Sequence, residues 1–253
     1  MIIWETVVVA FSMFSALPMP RVSWNERNLR YALCAFPLIG LALGAGCWGW
    51  WTLCRALELP GLLRGGGLCL IPVWITGGIH LDGYADTCDA LASHATPARR
   101  QEILKDPHLG AFAAIRLCSW FVADLALWTA LPHFNAVVIA GGFCLTRALS
   151  GLAVASFPLA RNTGLAHTFA TSAHRRRVCL ILGTASVALC VLLIQQGGAL
   201  PALAVSGVFL YYRRMARVQF GGLSGDLAGW FLQTAELWML GALVLSQYGG
   251  RLL

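Results

Sequence analysis

Long apolar runs separated by polar connections constrain this chain more than any other feature. There are about seven such runs, at 31–54, 65–80, 111–131, 136–157, 178–195, 198–212 and 227–247. A helix needs about 20 apolar residues to cross a bilayer, and only 65–80 and 198–212 are short for this. The chain is 11% charged, against about 25% in a soluble domain. We therefore predict an all-α, polytopic integral membrane bundle of about seven transmembrane helices, with 1–253 as one domain.

Three local features refine this prediction. Residues 1–20 are apolar but short for a span, so we expect a re-entrant or interfacial segment, with a true span as the alternative. The short run 65–80 is expected to continue as a helix into the acidic segment that follows it. The nine cysteines form no CxxC pair, which favours small packing roles over metal or redox chemistry.

The basic residues indicate an orientation. Most of the 18 lysines and arginines lie in four long polar connections, at 21–30, 81–110, 158–177 and 213–226. With seven alternating spans these connections share one side of the membrane, and the positive-inside rule places that side in the cytoplasm. The net charge of +7 is explained in this way without a nucleic-acid partner.

The most informative polar motif is GGIHLDGYADTCDALAS, at 77–93. It places Asp82, Asp86 and Asp89 at i, i+4 and i+7, on one face of a helix. Three neighbouring carboxylates repel each other, and their oxygens favour a magnesium-type ion that in turn indicates phosphates. The alternative, a solvated helix end, is weak beside hydrocarbon. His80 is either a ligand or a packed, hydrogen-bonding side chain.

A second polar cluster lies at 99–112. Arg99, Arg100 and Lys105 are candidates to hold phosphates, and Asp106 could orient one of them or add to the metal site. The alternative is a surface helix whose charges pair at i,i+3 and i,i+4.

A third cluster precedes the last apolar run. The glycine-rich turn of FGGLSGD, at 220–226, leads to Asp226, where backbone N–H groups at a helix start suit an anion. Asp226 could equally be a plain helix cap. Glu236 lies about three turns deeper, where it pairs with Arg147 or Arg116, or faces a substrate cavity.

Two further arginines could reach phosphates. Arg147 lies within an apolar run, and Arg161 lies just beyond its end. The planar guanidinium suits phosphate oxygens. A structural ion pair for Arg147 and an orienting charge for Arg161 are the alternatives. Asp124 lies deep in the run 111–131 and has no assigned role.

These motifs together resemble one known family. The chain is similar to the cobalamin synthases, the adenosylcobinamide-GDP ribazoletransferases. The resemblance covers nearly the whole chain and rests on GGIHLDGYADTCDAL (77–91), LKDPHLGAFA (104–113), FGGLSGD (220–226), FSALPMP (14–20) and FPLIGLALG (36–44).

The resemblance implies a late step of cobalamin assembly in the bacterial inner membrane. The family joins adenosylcobinamide-GDP to α-ribazole or α-ribazole 5′-phosphate, releases GMP, and needs Mg²⁺. Asp82, Asp86 and Asp89 would then hold Mg²⁺ at the diphosphate. The 5′-hydroxyl of α-ribazole would attack, with Asp89 or Asp226 as the base. The residues expected to clamp the leaving GMP are Arg99, Arg100, Lys105 and Arg161.

Other functions remain open at this stage. Intramembrane acids and arginines also describe an ion-coupled transporter. A lipid-forming phosphotransferase of the CDP-alcohol type would need arginine where the chain has Asp86. Three co-facial aspartates argue against a mere scaffold. The expected partners are the small-molecule substrates and the lipid bilayer. A homo-oligomer, or a complex with other enzymes of late cobamide assembly, is compatible with the sequence.

Overall fold

The protein is a bundle of helices. The computed structural model describes residues 2–249, and within that range it contains helices, one isolated β-bridge and no strand. The helices are α1 Ile2–Phe14, α2 Glu26–Leu29, α3 Ala32–Ala56, α4 Gly61–Thr76, α5 Ile79–Ala92, α6 Pro97–Ile103, α7 Ala111–Ala130, α8 Ala136–Ser156, α9 Leu165–Ser172, α10 Arg175–Gln195, α11 Ala199–Phe220 and α12 Gly225–Gly249. The all-α prediction is confirmed. The predicted domain, 1–253, also includes residues outside the described range.

Fewer helices than expected qualify as membrane spans. Five of those described are long and apolar enough, namely α3, α7, α8, α10 and α12, and a bent pair formed by α4 and α5 could be a sixth. The expected count was about seven. The difference comes from α11, which has 22 residues and is about 33 Å long. Its second half carries Arg213, Arg214 and Arg217, which lower its mean hydropathy below that of the five spans.

The expected continuous helix from 65–80 into the acidic segment is wrong. The helices α4 and α5 are separated by a bend of 95°. Gly77 and Gly78 both have positive φ angles, of 65° and 78°. This left-handed backbone ends α4 and redirects the chain, and it is a conformation that favours glycine. The acidic motif therefore lies on a helix of its own.

The N-terminal helix α1 is a short element. Its 13 residues reach about 20 Å, less than the hydrocarbon core of a bilayer. Directly after it, the Ala16 backbone N–H donates to the carbonyl of Ile75 at 2.8 Å, beside the bend between α4 and α5. This agrees with the prediction of a short segment and brings Phe14 close to the acidic helix.

Small residues bring the central helices into close contact. Most of α8 is buried, and its neighbours include α3 and α10. A methyl group on Gly40 of α3 would lie 2.5 Å from the Phe143 carbonyl group, and one on Gly151 of α8 would lie 3.3 Å from the Leu33 carbonyl oxygen. Such residues let backbones approach where the hydrophobic effect between helices is weak. The core of the bundle therefore forms around α8.

The four long polar connections meet at one end of the bundle. The His174 N–H donates to the Arg30 carbonyl at 3.2 Å, which joins the first connection to the third. Gln101, in the second connection, accepts from Arg161 in the third and donates to the Phe220 carbonyl in the fourth. These hydrogen bonds bring the four connections together at one end of the bundle, as expected if they share one side of the membrane.

Candidate active site

A cavity of about 610 Å³ opens at the end where the polar connections meet. Its walls come from α1, α3, α5, α8, α9 and α12, and from the residues near positions 105 and 160. The polar side chains that line it are His80, Asp82, Lys105, Ser150, Arg161, Thr163, His167, Ser224 and Asp226. Five of them, His80, Asp82, Lys105, Arg161 and Asp226, belong to the residues that the sequence indicated.

Two glycines let the acidic helix and the last helix touch backbone to backbone. A methyl group on Gly83 of α5 would lie 2.8 Å from the Asp226 Cα, and one on Gly229 of α12 would lie 2.8 Å from the His80 carbonyl oxygen. Real Cβ atoms do not approach so closely. The crossing places Asp82, from α5, and Asp226, from α12, in the lining of one cavity although 144 positions separate them in sequence.

The four aspartates form one electrostatic cluster. The charges of Asp82, Asp89 and Asp226 all act on Asp86. Asp82 is exposed, whereas Asp86 and Asp89 are half-buried and are absent from the cavity lining. Within the described range, none of the four takes part in an ion pair closer than 4.0 Å, so their mutual repulsion has no adjacent counter-charge.

The donor chemistry of this cluster suits a hard cation such as Mg²⁺, since every ligand atom it offers is a carboxylate oxygen. Among residues 2–249, however, no group of three His, Cys, Asp or Glu side chains lies close enough together to hold a metal ion. Asp89 instead lies against Gly110, where α7 begins, and a carboxylate is favourable at a helix N-terminus. The magnesium-ligand role of Asp82, Asp86 and Asp89 stays a prediction.

The glycine-rich turn before α12 is held in place by backbone bonds. The Leu223 N–H donates to the Pro158 carbonyl at 2.8 Å, and the Ala160 N–H donates to the Leu223 carbonyl at 2.9 Å. Ser224 Oγ accepts from the Leu227 N–H at 3.3 Å and also lies 3.3 Å from Asp226 Oδ2. Ser224 is therefore the residue that caps α12, which leaves the Asp226 carboxylate free to face the cavity.

Arg161 and Lys105 supply positive charge to the cavity that the acids line. Arg161 Nε donates to Gln101 Oε1 at 2.5 Å, and a second guanidinium nitrogen donates to the Gln101 carbonyl. Its charge also acts on Asp226. Both cations line the cavity that Asp82 and Asp226 line. A phosphate ester bound in this cavity would therefore have both cations and carboxylates in the walls around it.

The remaining cations of the second connection lie elsewhere. Arg99 is exposed and pairs with Glu102 at 2.6 Å. Arg100 is buried and donates to the Gln219 side chain. The Arg100 contact joins α6 to α11, whereas the Arg99 pair lies within α6. Neither residue lines the cavity, so the structure does not bring them to the acids as expected.

Asp106 is also outside the cavity. It is exposed and pairs with the His108 ring at 2.7 Å. The pKa of Asp106 lies below its ordinary value because the His108 backbone N–H and ring nitrogen both stabilise the carboxylate. This contact orders the loop before α7 and does not place Asp106 near the other aspartates as a further ligand.

Of the three alternatives for Glu236, the structure shows the ion pair with Arg147. Arg147 is fully buried and donates to Glu236, to the Phe143 carbonyl at 3.1 Å and to Thr146 Oγ1 at 3.0 Å. This network joins α8 to α12 within the bundle. Arg147 is absent from the cavity lining, so the structure supports the structural alternative for it rather than phosphate binding.

An aromatic wall was missed by the sequence reasoning. The Phe14 ring lies 4.5 Å from the Phe36 ring and 5.2 Å from the Phe169 ring, and the His80 ring lies 5.9 Å from Phe36. His80 is buried, and its Nε2 has no hydrogen-bond partner in the described structure. The sequence did contain a hint of this wall, because Phe14 and Phe36 begin two of the segments, 14–20 and 36–44, that carry the family resemblance.

Fold and site together define a polytopic helical membrane protein with an amphipathic cavity lined by both carboxylates and cations, a combination suited to phosphate esters. Residues 6–244 match the family model described as cobalamin-5-phosphate synthase. The chain belongs to this family. No solved structure matches it.

Curated relatives agree along their whole length. A protein of Lachnoclostridium phytofermentans named adenosylcobinamide-GDP ribazoletransferase is 40% identical, over 94% of this chain and 93% of the relative. A protein of the same name from Geobacillus kaustophilus is 31% identical, over 96% of this chain and 98% of the relative. Another from Desulfitobacterium hafniense is 31% identical, over 94% and 96%.

Proposed function

We propose that this protein transfers the phosphocobinamide group of adenosylcobinamide-GDP to α-ribazole 5′-phosphate or α-ribazole. The products are GMP and adenosylcobalamin 5′-phosphate or adenosylcobalamin. The observation that carries the proposal is one cavity that is lined by the acids Asp82 and Asp226 and also by the cations Lys105 and Arg161. Relatives that match nearly the whole chain are named for this reaction, and those names also favour an enzyme over an ion-coupled transporter.

The acceptor atom differs from the one first expected. The family is described as a cobalamin-5-phosphate synthase, and a product that still carries its 5′-phosphate cannot have been joined through the 5′ oxygen. The attack therefore comes from another ribose hydroxyl. Its oxygen bonds to the phosphorus that bears cobinamide, the bond from that phosphorus to the bridging oxygen breaks, and GMP leaves with the electron pair.

Asp226 is the better of the two candidate bases. It lines the cavity, whereas Asp89 is packed against Gly110. A carboxylate within hydrogen-bond reach of the attacking hydroxyl can accept its proton as the new bond forms. The Ser224 hydroxyl donates a hydrogen bond to Asp226 Oδ2 at 3.3 Å. This bond would hold the carboxylate in a fixed orientation.

Lys105 and Arg161 bind the phosphates of the donor in this proposal. They line the cavity together, and Gln101 fixes the Arg161 guanidinium through two acceptor oxygens. Asp82, Asp86 and Asp89 would hold Mg²⁺, which neutralises phosphate charge when bound. The roles first expected for Arg99, Arg100 and Asp106 are not retained, because their partners hold them outside the cavity.

The aromatic wall suits the planar base of the acceptor. Phe14, Phe36 and Phe169 offer ring faces and edges, and the unpartnered His80 Nε2 offers a hydrogen bond. A volume of about 610 Å³ is typical of a pocket for a nucleoside-sized molecule. The corrin ring of the donor would remain at the cavity mouth while the diphosphate enters.

The protein lies in the bacterial inner membrane with this cavity toward the cytoplasm. The support is the meeting of the basic connections at the end of the bundle where the cavity opens. Nucleotide substrates are available on that side. Assembly into a homo-oligomer, or with other enzymes of late cobamide assembly, stays a prediction.

The reaction is tested with purified protein in detergent micelles. The protein is incubated with adenosylcobinamide-GDP and either acceptor, with Mg²⁺ or with a chelator, and GMP and cobamide are quantified by liquid chromatography and mass spectrometry. Equal amounts of both products, only with Mg²⁺, are expected. Folded protein that forms neither product would overturn the proposed function, and product formation in the chelator would overturn the magnesium requirement alone.

A further inference from the structure

A second large groove lies on the bundle, separate from the cavity. It is formed by α5, α7 and α12 and has a volume of about 650 Å³. It shares no lining residue with the cavity. Its lining includes Tyr84, His94, Arg116, Trp120, Trp230 and Trp238. We call it the Arg116 groove.

The arginine that names the groove has no protein counter-charge. Arg116 is exposed, and no acidic side chain pairs with it in the part of the chain that the structure describes. It lies five residues into the candidate span α7, about 7.5 Å from the start of that helix. A charge at this depth is costly in hydrocarbon unless it reaches the polar headgroups.

The walls of the groove are aromatic and apolar. Trp238 is 63% exposed and Phe112 is 58% exposed, although both lie on candidate spans. Trp120 is buried and fixed by its indole N–H, which donates to the Gln233 carbonyl at 3.2 Å. The Thr234 hydroxyl, also in the lining, has no hydrogen-bond partner among the described residues. The groove therefore combines an apolar, largely aromatic surface with the single positive charge of Arg116.

The charge and the apolar walls of the Arg116 groove favour a lipid with a phosphate headgroup. The guanidinium fork of Arg116 matches phosphate oxygens, and basic pockets between membrane helices bind lipid headgroups. The described residues that line the groove include no aspartate or glutamate. A headgroup amine would find no carboxylate there to pair with, whereas a headgroup of net negative charge would meet the Arg116 guanidinium.

We propose that the Arg116 groove binds an anionic phospholipid. Its phosphate lies on Arg116, with His94 at the mouth, and an acyl chain runs along Trp230 and Trp238. This site is separate from the cavity in which the transfer reaction is proposed. Since α5 forms one wall of the groove and also carries Asp82, the lipid would support the helix that holds the acidic cluster.

Native mass spectrometry of the purified full chain tests the proposal. The wild type, Arg116→Gln and the matched control Arg214→Gln are titrated with dioleoyl phosphatidylglycerol, dioleoyl phosphatidylcholine or glycerol 3-phosphate. Arg214 is an exposed arginine on α11, outside the groove. We expect one phosphatidylglycerol per wild-type chain, binding about tenfold weaker in Arg116→Gln, and wild-type binding in Arg214→Gln. Phosphatidylcholine and glycerol 3-phosphate should bind more weakly than phosphatidylglycerol.

Three results would overturn the proposal. Equal retention of phosphatidylglycerol by Arg116→Gln is one, and equal binding of phosphatidylcholine is another. A dimer in the wild-type spectra that Arg116→Gln converts to monomer, with lipid retention unchanged, would assign the groove to a second copy of the chain. If Arg116→Gln does not fold, Trp238→Ala serves in its place and should also weaken phosphatidylglycerol binding.

Discussion

Gly83 lies directly against the backbone of Asp226, and this contact joins the two helices that supply the cavity's acids. A methyl group on Gly83 would lie 2.8 Å from both the Cα and the carbonyl oxygen of Asp226. The backbone of Asp226 cannot rotate away as a side chain would. The spacing between the aspartates of α5 and the Asp226 carboxylate therefore requires glycine at position 83, because a Cβ atom there would push the two helices apart.

Gly83→Ala is expected to separate α5 from α12 and lower turnover at least tenfold, since small displacements of catalytic groups cost much of the rate. The melting temperature should also fall, because the methyl group overpacks the crossing. Gly66→Ala is the control. It is also a glycine within a helix, but a Cβ there meets nothing within 4 Å. An active, stable Gly83→Ala variant would show that the close crossing is not needed.

Asp226→Asn is expected to lower kcat by about 10²- to 10⁴-fold, the usual contribution of a general base, with little change in the KM for either substrate. The control is Asp106→Asn, an acid that is exposed and outside the cavity. Steady-state kinetics of both variants checks this. A kcat for Asp226→Asn close to that of Asp106→Asn would remove Asp226 from the reaction.

Lys105→Gln is expected to raise the KM for adenosylcobinamide-GDP about tenfold, because one charge-assisted contact to phosphate is lost. Arg99→Gln removes the same charge six residues earlier in the same connection. It should change KM less than twofold, since Arg99 pairs with Glu102 in solvent. Similar KM values in the two variants would mean that the second connection acts only through its total charge.

Phe14→Leu should raise the KM for the acceptor about three- to tenfold and leave the KM for the donor unchanged, since a ring contact of the acceptor base is lost. Phe209→Leu is the matched control, because its ring packs against Phe157 and Tyr212, away from the cavity. Isothermal titration of α-ribazole gives an independent measure. An increase confined to the donor's KM would place the donor, and not the acceptor, on the aromatic wall.

Glu236→Gln is expected to lower the free energy of unfolding by about 3–5 kcal/mol, because it leaves the buried Arg147 charge without its partner. Thermal unfolding in detergent measures this. The double variant Arg147→Leu/Glu236→Leu should recover much of the loss, since neither charge then remains buried. A single variant as stable as the wild type would mean that Arg147 finds another acceptor.

Much of the fold could be predicted because hydropathy reports directly on membrane helices. The runs 31–54, 136–157 and 227–247 correspond closely to α3, α8 and α12. The aspartates share a helix face as their spacing predicted, and their charges act on each other. The 95° bend was not predictable, because a pair of glycines permits a left-handed turn without requiring one.

The grouping of the site residues depends on packing that the spacing does not encode. Arg99, Arg100 and Lys105 looked equivalent in the sequence. Their directions differ because α6 docks one face on α11, which turns Arg100 toward Gln219 and leaves Arg99 in solvent. Likewise, the choice of Arg147 over Arg116 as the partner of Glu236 depends on which faces of α7 and α8 meet α12.

The most direct test of the account compares the wild type with Asp82→Asn in the same detergent preparation. Of the three aspartates of the acidic motif, Asp82 lines the cavity. The two proteins are matched by thermal unfolding and then supplied with adenosylcobinamide-GDP, α-ribazole 5′-phosphate and Mg²⁺. We predict that the wild type forms GMP and the cobamide in equal amounts, and that Asp82→Asn forms neither above background. Undiminished turnover by Asp82→Asn would contradict the account.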